Sequence, residues 1–416
     1  MNLAMLLRQT IVAAMLVALA APVVSVDAQQ ASAPDESSVV LRHAVETAQP
    51  YRLVATNDQT IRVNGAVARV AQIVTRAAIT PLEIGESSAR SFAARFELSE
   101  SDRRAGNAVG VARSYQSRFT RDERGYQHVS EGAIMPVQRD LPVFPSAPLR
   151  PGDGWTEDAG ELHDLSAAFG FEQPVAFRFP VSYRYLGVEL SGRRPTHLIE
   201  ARYNIFHRVR QQPSNPGPYP VLITGESRRT IAWDLEAGRI ASEREVYTIV
   251  FTLSDGTIIE YSGTAQTEAL EADAVDLEPL RRSLTQDDSE AMDTRVEQTE
   301  RGVSIVLERI EFDPDSSRLR PEAIARLERI AAALAAYPNN DVLITGHTAL
   351  AGTARGRREL SLQRARVVSD VLLQQTGRDP RSIYYTGSGA DQPIASNATE
   401  AGRSRNRRVE ITILNN

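Results

Sequence analysis

The sequence predicts an α+β protein of more than one domain. An antiparallel β-rich region, built as a curved sheet or half-barrel, precedes a C-terminal α/β sandwich. Three observations carry this. Residues 39–266 hold alternating β-branched and aromatic runs, cut by Asn-Gly, Asp-Gly and proline turns. Residues 267–300 become strongly acidic. Residues 301–416 alternate short apolar runs with stretches of helical period.

At 416 residues, the chain is long enough for two or three cores. A net charge of −6 does not suggest a nucleic-acid partner. All 47 basic residues are Arg, so exposed cations are planar forks suited to carboxylates and phosphates. There is no Cys, which excludes disulfides and an N-terminal lipidated thiol.

Residues 1–28 read as an export signal: Arg8, an apolar run from Ile11 to Val24, and small residues at Val26 and Ala28. The run is short for a membrane span. The polar stretch 29–38 reads as a flexible leader. Export places the protein in the periplasm, with outer-membrane association left open.

Within 39–266, Ala89–Leu98 is a strand candidate. Glu245–Gly263 is the clearest hairpin, turning at Asp255-Gly256. Tyr247, Ile249, Phe251 and Leu253 fall on one face and Thr248 and Thr252 on the other. Thr230–Asp234 and Arg239 onward form a preceding hairpin. The proline-rich segment 142–155 either joins two sub-domains or crosses the end of a barrel. Low aromatic content and many Arg argue against a membrane-spanning barrel. A curved sheet of this kind can enclose a groove for a lipid or a lipidated partner.

Residues 267–300 carry eleven acids and three Arg, a charge of −8 that leaves the remainder near +2. They read as a solvated acidic linker, helical around Val275–Leu284. Beyond it come a strand at Val303–Ile310, a helix from Pro321 to Tyr337, a strand at Asp341–Gly346 and a second amphipathic helix. A strand at Ile383–Gly387, the segment Glu400–Arg407 and a last strand at Val409–Leu414 follow. The apolar spacing directs Ile324, Leu327, Ala331 and Leu334 of the first helix inward.

Five ordered pieces occur here: IEFDPDSSRL, TGHT, LSLQRARVV, YYTGSGADQPIASN and GRSRNRRVEITI. Together they make the last 115 or so residues, Gly302–Asn416, resemble the OmpA-like C-terminal domain, a peptidoglycan-associating module of bacterial envelope proteins. The resemblance implies a pocket for the diaminopimelate end of the wall's stem peptide, which carries one ammonium and one carboxylate. Such a group needs an anion and a forked cation at a set separation. Family members place an Asp after GHT and an Arg in the LSxxRA turn. Arg364 supplies the cation. Ala349 stands where the Asp belongs, beside Thr348. Asp315, Asn406 and Arg407 align with polar positions at the pocket's border. A missing charge-assisted hydrogen bond lowers the expected wall affinity by roughly ten- to a hundred-fold. Arg355, Arg357 and Arg358 make the loop more basic still, and Glu359 is its one acid.

The six His are scattered, with no HExxH and no metal-ligand pair. Gly387-Ser388-Gly389 reads as a turn and not a phosphate loop, and no nucleophile elbow occurs. No cofactor, no metal and no enzymatic activity are expected. The sequence therefore points to a non-enzymatic cell-envelope protein that associates with peptidoglycan. The β-rich region then faces an envelope protein or lipid partner. The alternative is a periplasmic interaction or lipid- and protein-carrier protein whose C-terminal module no longer grips the wall.

Overall fold

The computed structural model describes residues 38–85, 89–101, 109–191, 194–214, 217–270, 275–285, 294–308, 312 and 316–415. Residues 1–37, where an export signal and a leader are expected, and Asp315 lie outside these. The chain divides into two units. One comprises Met1–Leu98 and Ser114–Ala269, the other Ser99–Arg113 and Leu270–Asn416.

The strands in the first part of the chain are β1 (Tyr51–Val63), β2 (Ala66–Ile84), β3 (Arg90–Ser101), β4 (Val109–Arg121), β5 (Gln127–Val129) and β6 (Gln138–Arg139). They continue as β7 (Gly154–His163), β8 (Val175–Ser191), β9 (Arg194–Arg208), β10 (Pro220–Asp234), β11 (Arg239–Leu253) and β12 (Ile258–Leu270). A one-turn helix α1 (Ser166–Phe169) links β7 to β8. Strands β6 to β12 pair antiparallel in chain order. β12 pairs with β1, and β1 with β2. This is a meander, the pairing that short hairpin connections favour. The large sheet is not closed into a barrel.

Local chemistry sets the hairpins. Between β1 and β2, Asn64 and Gly65 both have positive φ, 49° and 82°. Only Asn, Asp and Gly take that pair of conformations cheaply. The expected alternation of β11 holds: Tyr247, Ile249, Phe251 and Leu253 are all buried. They join a core with Ile199, Ile231, Trp233 and Phe179. The proline-rich segment 142–155 lies within this same unit. Its Phe144 packs edge-on to Trp233 at 4.7 Å, and Trp155 stacks on Tyr183 at 5.0 Å. Its apolar side chains thus pack into the sheet's core.

One part of this interior is polar. Arg229 on β10 pairs with Glu243 at 2.6 Å and Glu245 at 2.8 Å, both on β11. Tyr203 on β9 accepts from Arg229 and Gln138, each at 3.0 Å. Its hydroxyl lies 3.3 Å from Glu245 and 3.4 Å from Glu161. His163 meets Glu161 at 2.8 Å. All of these except Gln138 are buried, and buried charges persist only when paired in this way.

The second unit contains α2 (Leu277–Thr285), β13 (Thr294–Thr299), β14 (Gly302–Glu308), α3 (Pro321–Leu334), β15 (Val342–His347) and α4 (Ala354–Thr376). β16 (Ile383–Gly389), α5 (Glu400–Asn406) and β17 (Arg408–Leu414) complete it. Its strand order is β13-β14-β17-β15-β16, with Val109 and Gly110 of β4 beside β16; the pairs are antiparallel except for the parallel β15–β16 and β16–β4. The β15–β16 pair requires a crossover, which α4 supplies. Leu327, Ile330 and Leu334 of α3 and Ala365, Val368 and Leu372 of α4 share one core with Ile305, Ile344, Ile383 and Ile411 from the strands.

Three expectations are corrected here. Ile324 is 36% exposed and not inward; Ala323, Ile330 and Leu327 occupy the buried face. The first helix ends at Leu334, three residues short of Tyr337. The helix expected around Val275–Leu284 is present as α2 (Leu277–Thr285), but the acidic linker is not solvated throughout. Val275, Leu280 of α2 and Val296 of β13 are buried in the C-terminal core, and β13 pairs with β14 along its whole length. A few apolar residues at the right spacing outweighed the surrounding charge. Among the described residues, no helix is long and apolar enough to cross a membrane.

Candidate functional site

The site is built where α4 presses on the ends of β15 and β16. Two glycines permit that approach. A Cβ on Gly346 would sit 2.1 Å from the Ser361 carbonyl oxygen. One on Gly387 would sit 2.5 Å from the Leu362 backbone nitrogen. Ser361 itself is fully buried; its hydroxyl donates to the Arg358 carbonyl at 2.9 Å and accepts from the Gly389 N–H at 2.9 Å. The Gly of TGHT, the Gly of TGSG and the Ser of LSLQRA therefore form one contact. Three residues beyond Ser361, nearly one helical turn, comes Arg364.

Arg364 is half-buried and held from two sides. Its Nε donates to the Ser316 carbonyl at 3.0 Å. Its guanidinium carbon lies 4.8 Å over the Phe312 ring, a cation–π contact that restricts the planar fork. Phe312 and Ser316 flank Asp315, so the segment carrying the expected border acid is the one that holds Arg364; Asp315 itself lies outside the described residues.

At the end of β15, Thr348 donates its N–H to the Gly389 carbonyl at 2.8 Å. Its hydroxyl is buried and has no hydrogen-bond partner among the described residues. Ala349 is 6% exposed, and its carbonyl accepts from the Ala351 N–H at 2.9 Å. A methyl group thus stands in this tight turn, where a carboxylate would give an anion. His347, one residue before Thr348, is buried 3.5 Å from Glu410 on β17. Burial pushes the His347 pKa down. Burial pushes Glu410 up, but His347 and Arg408 outweigh it and hold that carboxyl at about 2.

Asn406 and Arg407 both make contacts within the domain. Asn406 is buried; its amide oxygen accepts from Ile394 and Ala395, and its nitrogen donates to the Ala395 carbonyl and Asn397. Asn397 in turn accepts from the Leu350 N–H at 3.0 Å. Asn406 therefore shapes the turn beside Ala349 through a second side chain. Arg407 pairs with Glu400 on α5 at 2.7 Å. The structure thus puts Thr348 and Ala349 in one turn, carries Arg364 on α4, and gives Asn406 a positioning place behind Leu350.

The start of α4 is basic. Its first turn contains no acid, and Thr353 caps it by accepting from the Gly356 N–H at 3.1 Å. Arg357 donates to the Gly352 carbonyl at 2.6 Å, and Arg358 pairs with Asp391 at 3.1 Å. The helix N-terminus adds partial positive charge. Glu359 is exposed. The combined field favours an anionic group. Among the described residues, no cluster of three or more His, Asp or Glu could hold a metal ion.

Sequence reading had missed the Phe312–Arg364 contact and the Asn397 relay, because neither follows from helical or strand period. The paired glycines were visible as motifs, but their shared neighbour Ser361 was not.

Residues 311–407 match the OmpA family, so the chain carries an OmpA family domain at its C-terminal end. Among relatives, the chain is 35% identical over 104 residues to outer membrane porin F of Pseudomonas aeruginosa, covering 25% of this chain and 30% of that one. It is 42% identical over 103 residues to outer membrane protein A of Bordetella avium, covering 25% and 53%. It is 41% identical over 104 residues to the peptidoglycan-binding protein ArfA of Mycobacterium tuberculosis, covering 25% and 32%. The chain thus spans about a third to a half of the length of these relatives. A solved structure, the cell wall anchor of the T6SS from Pseudomonas aeruginosa, is 34% identical, with 32% of this chain and 96% of that chain covered and a TM-score of 0.30.

Proposed function

We propose that this chain is a non-enzymatic protein of the bacterial cell envelope, exported to the periplasm, whose C-terminal domain associates with peptidoglycan. The observation that carries the reading is Arg364, a forked cation braced by Phe312 and Ser316 on the helix that packs against TGHT. In this reading its guanidinium receives the carboxylate of the stem-peptide diaminopimelate. Thr348, at the end of β15, offers its buried hydroxyl to the ligand.

Ala349 makes the grip one-sided. The ligand ammonium loses its anion, and affinity falls by roughly ten- to a hundred-fold relative to a site with both charges. The basic start of α4 deepens that asymmetry, since it attracts the carboxylate and repels the ammonium. The alternative, a carrier or interaction protein whose domain keeps the fold but not the wall contact, draws on the same methyl group.

Co-sedimentation of the mature chain with purified sacculi tests the proposal. The natural protein pellets in part, and Arg364→Ala moves it to the supernatant. Equal pelleting of natural and Arg364→Ala proteins removes Arg364 from any wall contact. A natural protein that stays wholly in the supernatant supports the carrier reading.

A further inference from the structure

The β-rich sheet contains a split between two neighbouring strands. β8 and β9 pair from Ser191↔Arg194 down to Val181↔Tyr203, and there the ladder stops. Both strands continue. β8 runs on through Val175–Pro180, paired with β7, and β9 runs on through Asn204–Arg208, paired with β10.

Pro180 accounts for the split. Tyr185 exchanges backbone hydrogen bonds with Gly152 and Asp153 on the β7 side. Backbone groups alternate sides along a strand, so odd-numbered β8 residues in this stretch face β7 and even-numbered ones face β9. Pro180 therefore points its nitrogen at β9, and that nitrogen has no hydrogen to donate. On β9, the Val209 N–H bonds to Val221 on the β10 side. By the same alternation, Asn204, Phe206 and Arg208 turn their N–H and C=O groups toward β8. Ala176 and Arg178 face them from the other side, and no ladder joins the two sets.

A cleft of about 510 Å³ occupies this place, lined by Val175, Ala176 and residues 206–211. The rings of Phe177 and His207 stack at 4.9 Å across its inner side and give it a floor. Phe206 stands beside it, 71% exposed. Arg208 and Arg210 are exposed in its lining, and among the described residues that line it none is acidic.

We propose that this cleft is a strand-binding slot that takes an extended segment of a partner protein, with acidic residues alternating with apolar ones. Backbone pairing to the open edges supplies affinity. Phe206, Arg208 and Arg210 share the outer face, where the two Arg select the acidic side chains, while the apolar ones turn inward over Phe177 and His207. Exposed strand edges are usually blunted by charge or proline. Here the proline creates the edge within a sheet instead of guarding one at its border.

The test uses the mature chain and a fluorescein-labelled peptide of alternating Val and Glu, with fluorescence anisotropy as readout. The peptide binds. A Val/Lys peptide, and a Val/Glu peptide N-methylated at alternate backbone nitrogens, bind about tenfold more weakly or worse. Pro180→Val restores the missing donor, lets the β8–β9 ladder close, and weakens binding by a similar factor. Arg208→Glu combined with Arg210→Glu does so without closing the cleft. Hydrogen exchange shows the Ala176, Arg178, Asn204, Phe206 and Arg208 amides unprotected in the free chain and protected with peptide. Equal binding of the N-methylated peptide overturns the proposal. So does unchanged affinity in both variants, or protection of these amides before any peptide is added.

Discussion

Glu245 is a buried carboxyl of the β-rich unit that titrates near neutral pH. It is 1% exposed and its pKa is pushed up to about 7 from an ordinary 4.5. Burial is the chief cause. Arg229 opposes it, while Glu243 and Glu161 add to it and Ser227 donates a hydrogen bond that offsets part of it. A carboxyl raised in the folded state keeps its proton where the unfolded chain has lost it. Its contribution is therefore complete below pH 4.5 and is lost as pH rises toward 7. The span corresponds to about 3 kcal/mol at 1.36 kcal/mol per unit. Other groups act in the opposite sense. His43, His197 and His207 are held low chiefly by burial, so they withdraw stability as pH falls below 6.5. Only the difference between two proteins isolates Glu245. Glu245→Gln mimics the protonated form, so its stability relative to the natural chain rises by about 3 kcal/mol between pH 4.5 and pH 8. Urea denaturation followed by tryptophan fluorescence measures it, because both Trp155 and Trp233 lie in this unit. Parallel pH–stability curves for the two proteins would refute the assignment.

Two further predictions concern the C-terminal unit, and differential scanning calorimetry reads both. Gly346→Ala drives a Cβ to 2.1 Å from the Ser361 carbonyl and costs about 3 kcal/mol, since backbone and not a flexible tip must yield; an unchanged transition contradicts the close approach of α4. Thr353→Ala removes the N-cap of α4 and costs about 1 kcal/mol, while Thr353→Ser retains most of it.

The β-rich fold was legible where chemistry is local. Asn64-Gly65 and Asp255-Gly256 announced their turns, and the alternation through Tyr247 to Leu253 announced a buried face. Long-range pairing was not legible: nothing in the residues of β12 says that it pairs with β1, nor does the sequence place Pro180 against β9 instead of β7. The polar interior was hidden for a related reason. Glu161, Arg229, Glu243 and Glu245 each look like surface charges, and only the pairing of β7 through β11 buries them together. In the C-terminal unit, motif order carried the fold, but net charge misled the reading of residues 267–300, where Leu280 and Val296 were enough to pull acidic segments into the core. The site was legible in its residue types and not in its bracing, because Phe312 and Arg364 are 52 positions apart in sequence.

In the proposed site Arg364 holds one end of a wall ligand and Ala349 leaves the other end unheld. Calorimetric titration of the mature chain with a diaminopimelate-containing stem peptide tests this most directly. Ala349→Asp tightens binding by roughly ten- to a hundred-fold, and adding Arg364→Ala to it abolishes the gain. If Ala349→Asp leaves affinity unchanged, or if the natural chain already binds tightly and Arg364→Ala does not weaken it, the two-ended account of the site is contradicted.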